Sequence, residues 1–226
     1  MNETPTISVI ITFWNRERYL AESIESVVAQ PMPLDLVLVD DGSTDASAEA
    51  ARRFSPPARL VQQDHRGAAG AYNTGLEHTT GTLVAFCDSD DLWTRDKLDI
   101  QLAALERDPR LDCVFGHAEE FLSPELDPAA VRTRPLRGVV PAVIPSAALI
   151  RRPMLDAVGP FDEQLRNGAW VDWYARARVH GLNECIPPEV LVRRRIHERN
   201  NFAAQEDAAR GYLRALRPLV RKQRES

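Results

Sequence analysis

The sequence predicts an α/β fold, with a central, mostly parallel sheet flanked by helices and an amphipathic helix at its C-terminal end. Three observations predict it. Nearly continuous apolar runs recur at residues 7–12, 34–39 and 82–87, as strands buried on both faces require. Between them lie stretches with apolar residues at helical spacing. Each run ends in polar or acidic residues, at what would be the carboxyl edge of the sheet, where such folds bind ligands.

The elements follow in order. Residues 7–12 read as a central strand. After Phe13-Trp14-Asn15-Arg16 a helix is expected, with Leu20, Ile24, Val27 and Val28 on its buried face. Pro31 and Pro33 stop it. The second strand, 34–39, runs into Asp40-Asp41-Gly42-Ser43-Thr44-Asp45, where Ser43 or Thr44 is expected to cap an Ala-rich helix reaching Phe54. Residues 59–62 form a short third strand. Gly67 and Gly70 open a helical stretch that Gly81 ends. The strand 82–87 then delivers Asp88-Ser89-Asp90-Asp91. Thr94 is the expected cap of a helix carrying Leu98, Leu102 and Leu105, which Asp108-Pro109 ends.

The second half is less regular. Strands are expected at 111–115 and 119–122, a long loop at 123–141, and an apolar strand at 142–150 broken at Pro145. A helix spans 170–180 and ends at Gly181. Residues 190–195 lead into Ile196-His197. An amphipathic helix at 203–224 places Arg210, Arg214, Arg217, Arg221 and Arg224 on one face, with a kink at Pro218. No linker divides the chain. One domain, 1–226, is expected, with a first half at 1–110, a second at 111–200 and the terminal helix at 201–226.

Composition narrows the function. Hydrophobic content of 44% and charged content of 27% are those of a globular protein with a core. A net charge of -5 argues against nucleic acid as a partner. No apolar run approaches the roughly 20 residues that span a bilayer, and the N-terminus does not read as a signal peptide. Cys87, Cys113 and Cys185 are widely spaced and read as reduced packing residues. The expected location is the cytoplasm, with peripheral contact at the inner face of a membrane as a role for the Arg-faced helix.

The chemistry concentrates at Asp88, Asp90 and Asp91. In an extended chain Asp88 and Asp90 point to one face and can grip one cation. Hard oxygen ligands suit Mg²⁺ or Mn²⁺, and these suit phosphate oxygens. The plain alternative is an Asp-rich turn.

With these residues in view, the chain resembles family 2 glycosyltransferases of the GT-A fold, a single Rossmann-like domain, over about residues 6–200. The resemblance is carried by Ser8-Val9-Ile10-Ile11-Thr12-Phe13-Trp14-Asn15-Arg16, by Val39-Asp40-Asp41-Gly42-Ser43-Thr44-Asp45, and by Gly67-Ala68-Ala69-Gly70-Ala71-Tyr72-Asn73-Thr74-Gly75. Asp88-Ser89-Asp90-Asp91 and Val158-Gly159-Pro160-Phe161-Asp162-Glu163 complete it, all in the family's order. It implies a metal-dependent, inverting transfer of a sugar from a nucleotide sugar, a UDP-sugar by preference, to a hydroxyl of a glycan, lipid or peptide acceptor. Thr12, Trp14 and Asp41 would hold the base, with Asn15, Asn73 and Ser89 in the same nucleotide-sugar site. Asp88 and Asp90 would meet the ribose and the metal, Mn²⁺ or Mg²⁺. Asp91 and His197 are further metal candidates. Asp172 in Trp170-Val171-Asp172-Trp173 would be the general base, walled by Trp170 and Trp173.

Two residues depart from the family pattern: Val171 stands where a Glu is usual, and Tyr72 where many relatives have Arg. Two alternatives remain open at this point, a non-catalytic nucleotide-sugar-binding scaffold and a nucleotidyltransferase. The latter usually carries a Gly-rich basic loop after its first strand, where this chain has Phe13-Trp14-Asn15-Arg16.

Overall fold

The strand Ile7–Phe13 (β1) is the axis of the structure. In the computed structural model, which describes residues 5–126, 136, 138–165 and 167–197, its Val9, Ile10 and Ile11 are fully buried. It leads through Leu20–Val28 (α1) to Asp35–Asp40 (β2), then through Ser47–Arg52 (α2) to Arg59–Gln62 (β3), and through Gly67–Glu77 (α3) to Leu83–Asp88 (β4). β1 pairs in parallel with β2 on one side and β4 on the other, so it has no edge and its inner residues no polar alternation. Two of these crossovers run away from β1 on one side, and the third returns across it. The sheet therefore switches direction between β1 and β4, and a crevice opens at their carboxyl ends.

The second half extends this sheet and adds another. Leu92–Trp93 (β5), Lys97–Arg107 (α4), Cys113–Val114 (β6), Gly116–Leu122 (β7) and Val139–Ala142 (β8) come first. A 3-10 turn at Pro145–Ala147, Leu149–Arg151 (β9), Arg152–Val158 (α5), Ala169–Val179 (α6), Glu184–Cys185 (β10) and Val190–Ile196 (β11) follow. The seven-stranded sheet has the order β10-β6-β9-β4-β1-β2-β3, with β9 antiparallel to both neighbours. A four-stranded sheet, β5-β11-β7-β8, lies beside it. β8 holds Pro141 and is an edge strand, where a missing N–H is tolerated.

α3 lies directly on β1. A Cβ on Gly75 would sit 2.4 Å from Ile10 Cγ2, so only glycine permits that approach. Asn73, from the same helix, takes the Phe161 N–H on its Oδ1 at 2.8 Å and donates through Nδ2 to the Phe161 carbonyl and the Glu163 carboxylate, both at 3.0 Å. That amide joins the first half of the chain to the segment after α5.

Several expectations change. α2 starts at Ser47, because Ser43 is used elsewhere: its Oγ accepts the Asn15 N–H at 3.0 Å. Thr94 does not cap α4. Its hydroxyl donates to the Leu191 carbonyl, holding β5 to the start of β11. The expected strand at 142–150 is three pieces: the end of β8, the 3-10 turn and β9. Trp170 and Trp173 wall no open site. Both are buried in an aromatic cluster with Phe161, and Trp170 Nε1 donates to the Val143 carbonyl at 3.0 Å. The helix expected at 203–224 lies outside the described residues.

A buried polar node ties α4 to both sheets. Gln101 Nε2 donates to the carbonyls of Val114 and Ala147 at 2.8 Å and of Phe115 at 3.2 Å. Its Oε1 accepts from Lys97 Nζ at 2.8 Å, and that ammonium lies 4.0 Å from the Trp93 ring centre. Lys97 is fully buried, and burial pulls its pKa down to about 7. Between about pH 7 and pH 10 the unfolded chain therefore binds more protons at this site, and stability due to Lys97 rises with pH. Below pH 7 both states hold the proton and the full cost of the buried charge applies. Lys97→Met is expected to raise stability at pH 7 by about 1 kcal/mol or more, with a smaller gain near pH 10. Urea melts at the two pH values check this; a less stable variant at pH 7 would show that the Gln101 and Trp93 contacts outweigh burial.

Candidate active site at the carboxyl end of the parallel strands

Asp88 closes β4 directly opposite Thr12 of β1, and Thr12 also pairs with Val39 of β2. The crevice is thus set by three parallel strands ending together. Burial pushes the Asp88 carboxyl up to about 6, with the charge of Asp90 adding to it. The Tyr72 hydroxyl donates to Asp88 Oδ1 at 3.1 Å and works the other way. That phenol is buried and held well above its ordinary pKa by burial and by Asp88, so it stays a neutral donor. Where many relatives of the resembled family carry Arg, this chain supplies a hydrogen bond without a charge.

Asp90 is held differently. Burial would raise its pKa, but the hydrogen bond from His197 and the charges of Arg16 and His197 outweigh it and keep the carboxyl below its usual range. His197 Nε2 lies 2.9 Å and Arg16 Nε 3.6 Å from Asp90 Oδ2. His197 is buried just beyond β11 and stacks on Tyr19, ring centres 4.5 Å apart. A residue 107 positions along the chain thus completes the Asp90 site.

Asp91 faces inward. Ser146 Oγ donates to its Oδ2 at 2.8 Å and the Arg195 N–H to its Oδ1 at 3.3 Å. The same Ser146 Oγ accepts the Asp88 N–H at 3.0 Å. Burial, then the charges of Asp90 and Asp88, push Asp91 well above the carboxylate range. Ser89 is buried between these carboxylates in sequence. Arg195 also donates through Nε to the Asp90 carbonyl at 3.2 Å, pairs with Glu22, and lies over the rings of Tyr19 and Phe121.

The donor set fits a hard divalent cation in kind. Asp88 and Asp90 supply oxygens, their mutual repulsion is what a cation relieves, and His197 adds an imidazole. Among the described residues no group of three such side chains is already arranged as a metal cage. Ligands from a diphosphate would have to complete one.

Asp41 and Trp14 lie at the ends of β2 and β1. The Asp41 N–H donates to the Phe13 carbonyl at 2.9 Å. Its carboxylate accepts the N–H groups of Arg66 and Gly67, both at 2.8 Å, at the head of α3. The helix end favours that negative charge. Gly42, next in the chain, has φ +76°, and a Cβ there would meet the His65 backbone N at 2.9 Å. Asn15 has φ 52°, a left-handed backbone that Asn tolerates. Its Oδ1 accepts the Thr44 N–H at 2.8 Å, which braces the loop after β1 against the loop after β2. Beside this brace is a small concavity lined by Asn15, Arg16, Tyr19, Asp45 and Glu125.

Asp172 sits in the first turn of α6, with Arg176 Nε donating to its Oδ2 at 2.9 Å. Arg176 also donates to the carbonyls of Val158 and Pro160, fastening α6 to the end of α5.

The structure brings Thr12, Asp88, Ser89, Asp90, Asp91 and His197 together at one edge, with Trp14, Asn15 and Asp41 on the adjoining loops. Asn73 turns to Phe161 and Glu163 instead. Sequence reasoning missed Arg16, Tyr19, Ser146 and Arg195. Ser146 left one signal, as the lone hydroxyl in an otherwise apolar stretch. The others left none that local spacing could read, because their partners are distant in the chain.

The family model described as "Glycosyl transferase family 2" matches residues 8–159. A Rickettsia felis protein named "Uncharacterized glycosyltransferase" is 27% identical over 201 residues, covering 79% of this chain and 32% of the relative. The chain spans about a third of the length of such curated relatives. Among solved structures, the mannosyltransferase PcManGT from Pyrobaculum calidifontis in complex with GDP-Man and Mn²⁺ has a TM-score of 0.74 at 24% identity, over 97% of this chain and 65% of that one. S. aureus TarS in complex with UDP-GlcNAc has 0.74 at 19%, over 95% of this chain and 66% of that one. These two likenesses carry the fold, which is that of GT-A glycosyltransferases. The family match covers most of the chain, and the protein belongs to glycosyl transferase family 2.

Proposed function

We propose that the chain transfers a sugar from a nucleotide diphosphate sugar to an acceptor hydroxyl, with a divalent cation and with inversion at the anomeric carbon. The observation that carries this reading is the convergence of Asp88, Asp90 and His197 where the sheet switches direction beside Thr12. The two structural neighbours hold UDP-GlcNAc and GDP-Man, in keeping with a nucleotide-sugar donor. Uridine is our choice of base. Asp41 offers only acceptor oxygens, which suit the N3–H of uracil, and Trp14 is an exposed stacking surface beside it.

Asp88, Asp90 and His197 are the residues that would hold Mn²⁺ or Mg²⁺. The ion supplies charge neutralisation for the departing diphosphate. Asp91, with both oxygens bonded to Ser146 and Arg195, stiffens the turn that aims the other two. Asp172 would take the proton of the acceptor hydroxyl as that oxygen attacks, on Oδ1, since Arg176 occupies Oδ2. One displacement by the hydroxyl inverts the anomeric carbon, and no protein nucleophile is needed.

Two outcomes test this. Asp90→Asn removes a charged ligand, and Mn²⁺-dependent UDP-sugar affinity should fall by more than the roughly 10–100-fold typical of a residue that only orients a ligand. Calorimetry with equal wild-type affinity in EDTA and in Mn²⁺ would overturn the metal assignment. Asp172→Asn should cut transfer about 10²–10⁴-fold while donor affinity holds within about twofold. Wild-type turnover in that variant would remove Asp172 from the mechanism, and donor binding with neither transfer nor hydrolysis in the unmodified chain would favour a scaffold.

A further inference from the structure

His65 lies on the loop between β3 and α3, outside every motif that marks the site. Its imidazole stacks on Trp14, ring centres 4.4 Å apart and planes 26° from parallel. Its Nδ1 is 2.8 Å from Asp41 Oδ2 and 3.0 Å from the Asp41 carbonyl. A flat ring on Trp14 with a ring N–H on the Asp41 carboxylate is the pair of contacts proposed above for the nucleobase.

We propose that His65 is an internal stand-in for the base: it fills the base's place on Trp14 and Asp41 and must leave when the donor binds. The proposal rests on the reading that Trp14 and Asp41 hold the base.

The acceptor capacity of Asp41 makes the competition direct. A carboxylate offers about four lone-pair positions. Oδ1 takes the Arg66 N–H at 2.8 Å and Gln63 Nε2 at 2.6 Å. Oδ2 takes the Gly67 N–H at 2.8 Å and His65 Nδ1. All four positions are filled. The two backbone N–H groups belong to the head of α3 and cannot leave without unwinding it. Gln63 is partly buried, whereas the His65 side chain is 49% exposed and can swing into solvent. Of the four donors, His65 is the one whose departure costs the fold least. A base that reaches Oδ2 therefore replaces His65 and inherits the stacking surface on Trp14.

Such a stand-in lowers apparent affinity by the fraction of molecules in which the ring is seated. It also keeps one face of the Trp14 ring covered and the Asp41 oxygens satisfied when no donor is present. The loop then opens only for a ligand that restores both contacts, a planar ring bearing an N–H. Because the ring competes at the base, the effect falls on nucleotide affinity and not on the sugar or the acceptor.

The test is calorimetric titration of UDP, with Mn²⁺ present, into the full chain and into His65→Ala and Trp14→Ala. His65→Ala should bind UDP about threefold to tenfold more tightly than the wild type, and Trp14→Ala more weakly. With ¹⁵N-labelled histidine, the His65 ring signals of the wild type should shift when UDP saturates the protein. Unchanged or weaker UDP binding by His65→Ala, while Trp14→Ala is weakened, overturns the stand-in and leaves the base site in place. Unchanged binding by Trp14→Ala overturns both. His65 ring signals that stay fixed on UDP saturation overturn the displacement. Thermal melts of His65→Ala matching the wild type show that affinity, not folding, has been read.

Discussion

The constraint on which this structure depends is the burial of three carboxylates at the end of β4. Asp88, Asp90 and Asp91 repel one another where Asp91 is buried and Asp88 and Asp90 are partly so, and desolvation is the largest influence on all three. Each is answered by a different donor. Tyr72 comes from α3, Ser146 from the 3-10 turn, Arg195 and His197 from the end of β11, and Arg16 from the loop after β1. The cluster therefore cannot be assembled from its own strand. It exists only when the second sheet has docked β11 beside β5 and the turn before β9 has reached under Asp88. The same contacts that relieve the charge are the ones that join the two halves of the chain.

The unequal answers hold the three carboxylates in different states. Asp90, paired with His197 and Arg16, is held ionised. Asp88, where the Tyr72 phenol, the charge of Arg194 and the Ser146 hydroxyl do not offset burial and the charge of Asp90, is raised to about 6. Asp91 is turned inward and bonded at both oxygens. An Arg at position 72 would have placed a permanent charge beside Asp88 and competed with any cation there. Tyr72 gives Asp88 a hydrogen bond from α3 and no permanent charge. This gives the departure from the family pattern a physical meaning.

The parallel strands were legible because burial on both faces removes polar alternation, and β1, β2 and β4 are nearly pure apolar runs. The edge carrying Thr12, Asp41 and Asp88 followed from the alternation of strands and helices. The second sheet was not legible. β5 has two residues and β8 contains Pro141, so neither has enough length or pattern to register as a strand. The caps misled for a related reason. Ser43 and Thr94 have the chemistry of helix caps, but tertiary partners, the Asn15 N–H and the Leu191 carbonyl, take their hydroxyls. Trp170 and Trp173 were misread because aromatic residues beside a candidate base suit sugar stacking as well as core packing, and only burial decides.

His65 shows the limit most sharply. In sequence it is one of five consecutive polar residues, Gln62-Gln63-Asp64-His65-Arg66, with no spacing that points to Trp14 or Asp41. Its place is set by Gly42 and Gly67, whose positive φ values bend the two flanking loops toward each other. The close packing of the Gly42 Cα against the His65 backbone leaves no room for a side chain there. The loop that carries the stacked ring is thus fixed by two residues with no side chains. Once the backbone is so placed, the ring has one aromatic face and one unfilled acceptor within reach, and it takes both. The proposed base site thus already holds a flat ring with an N–H edge, supplied by the chain itself.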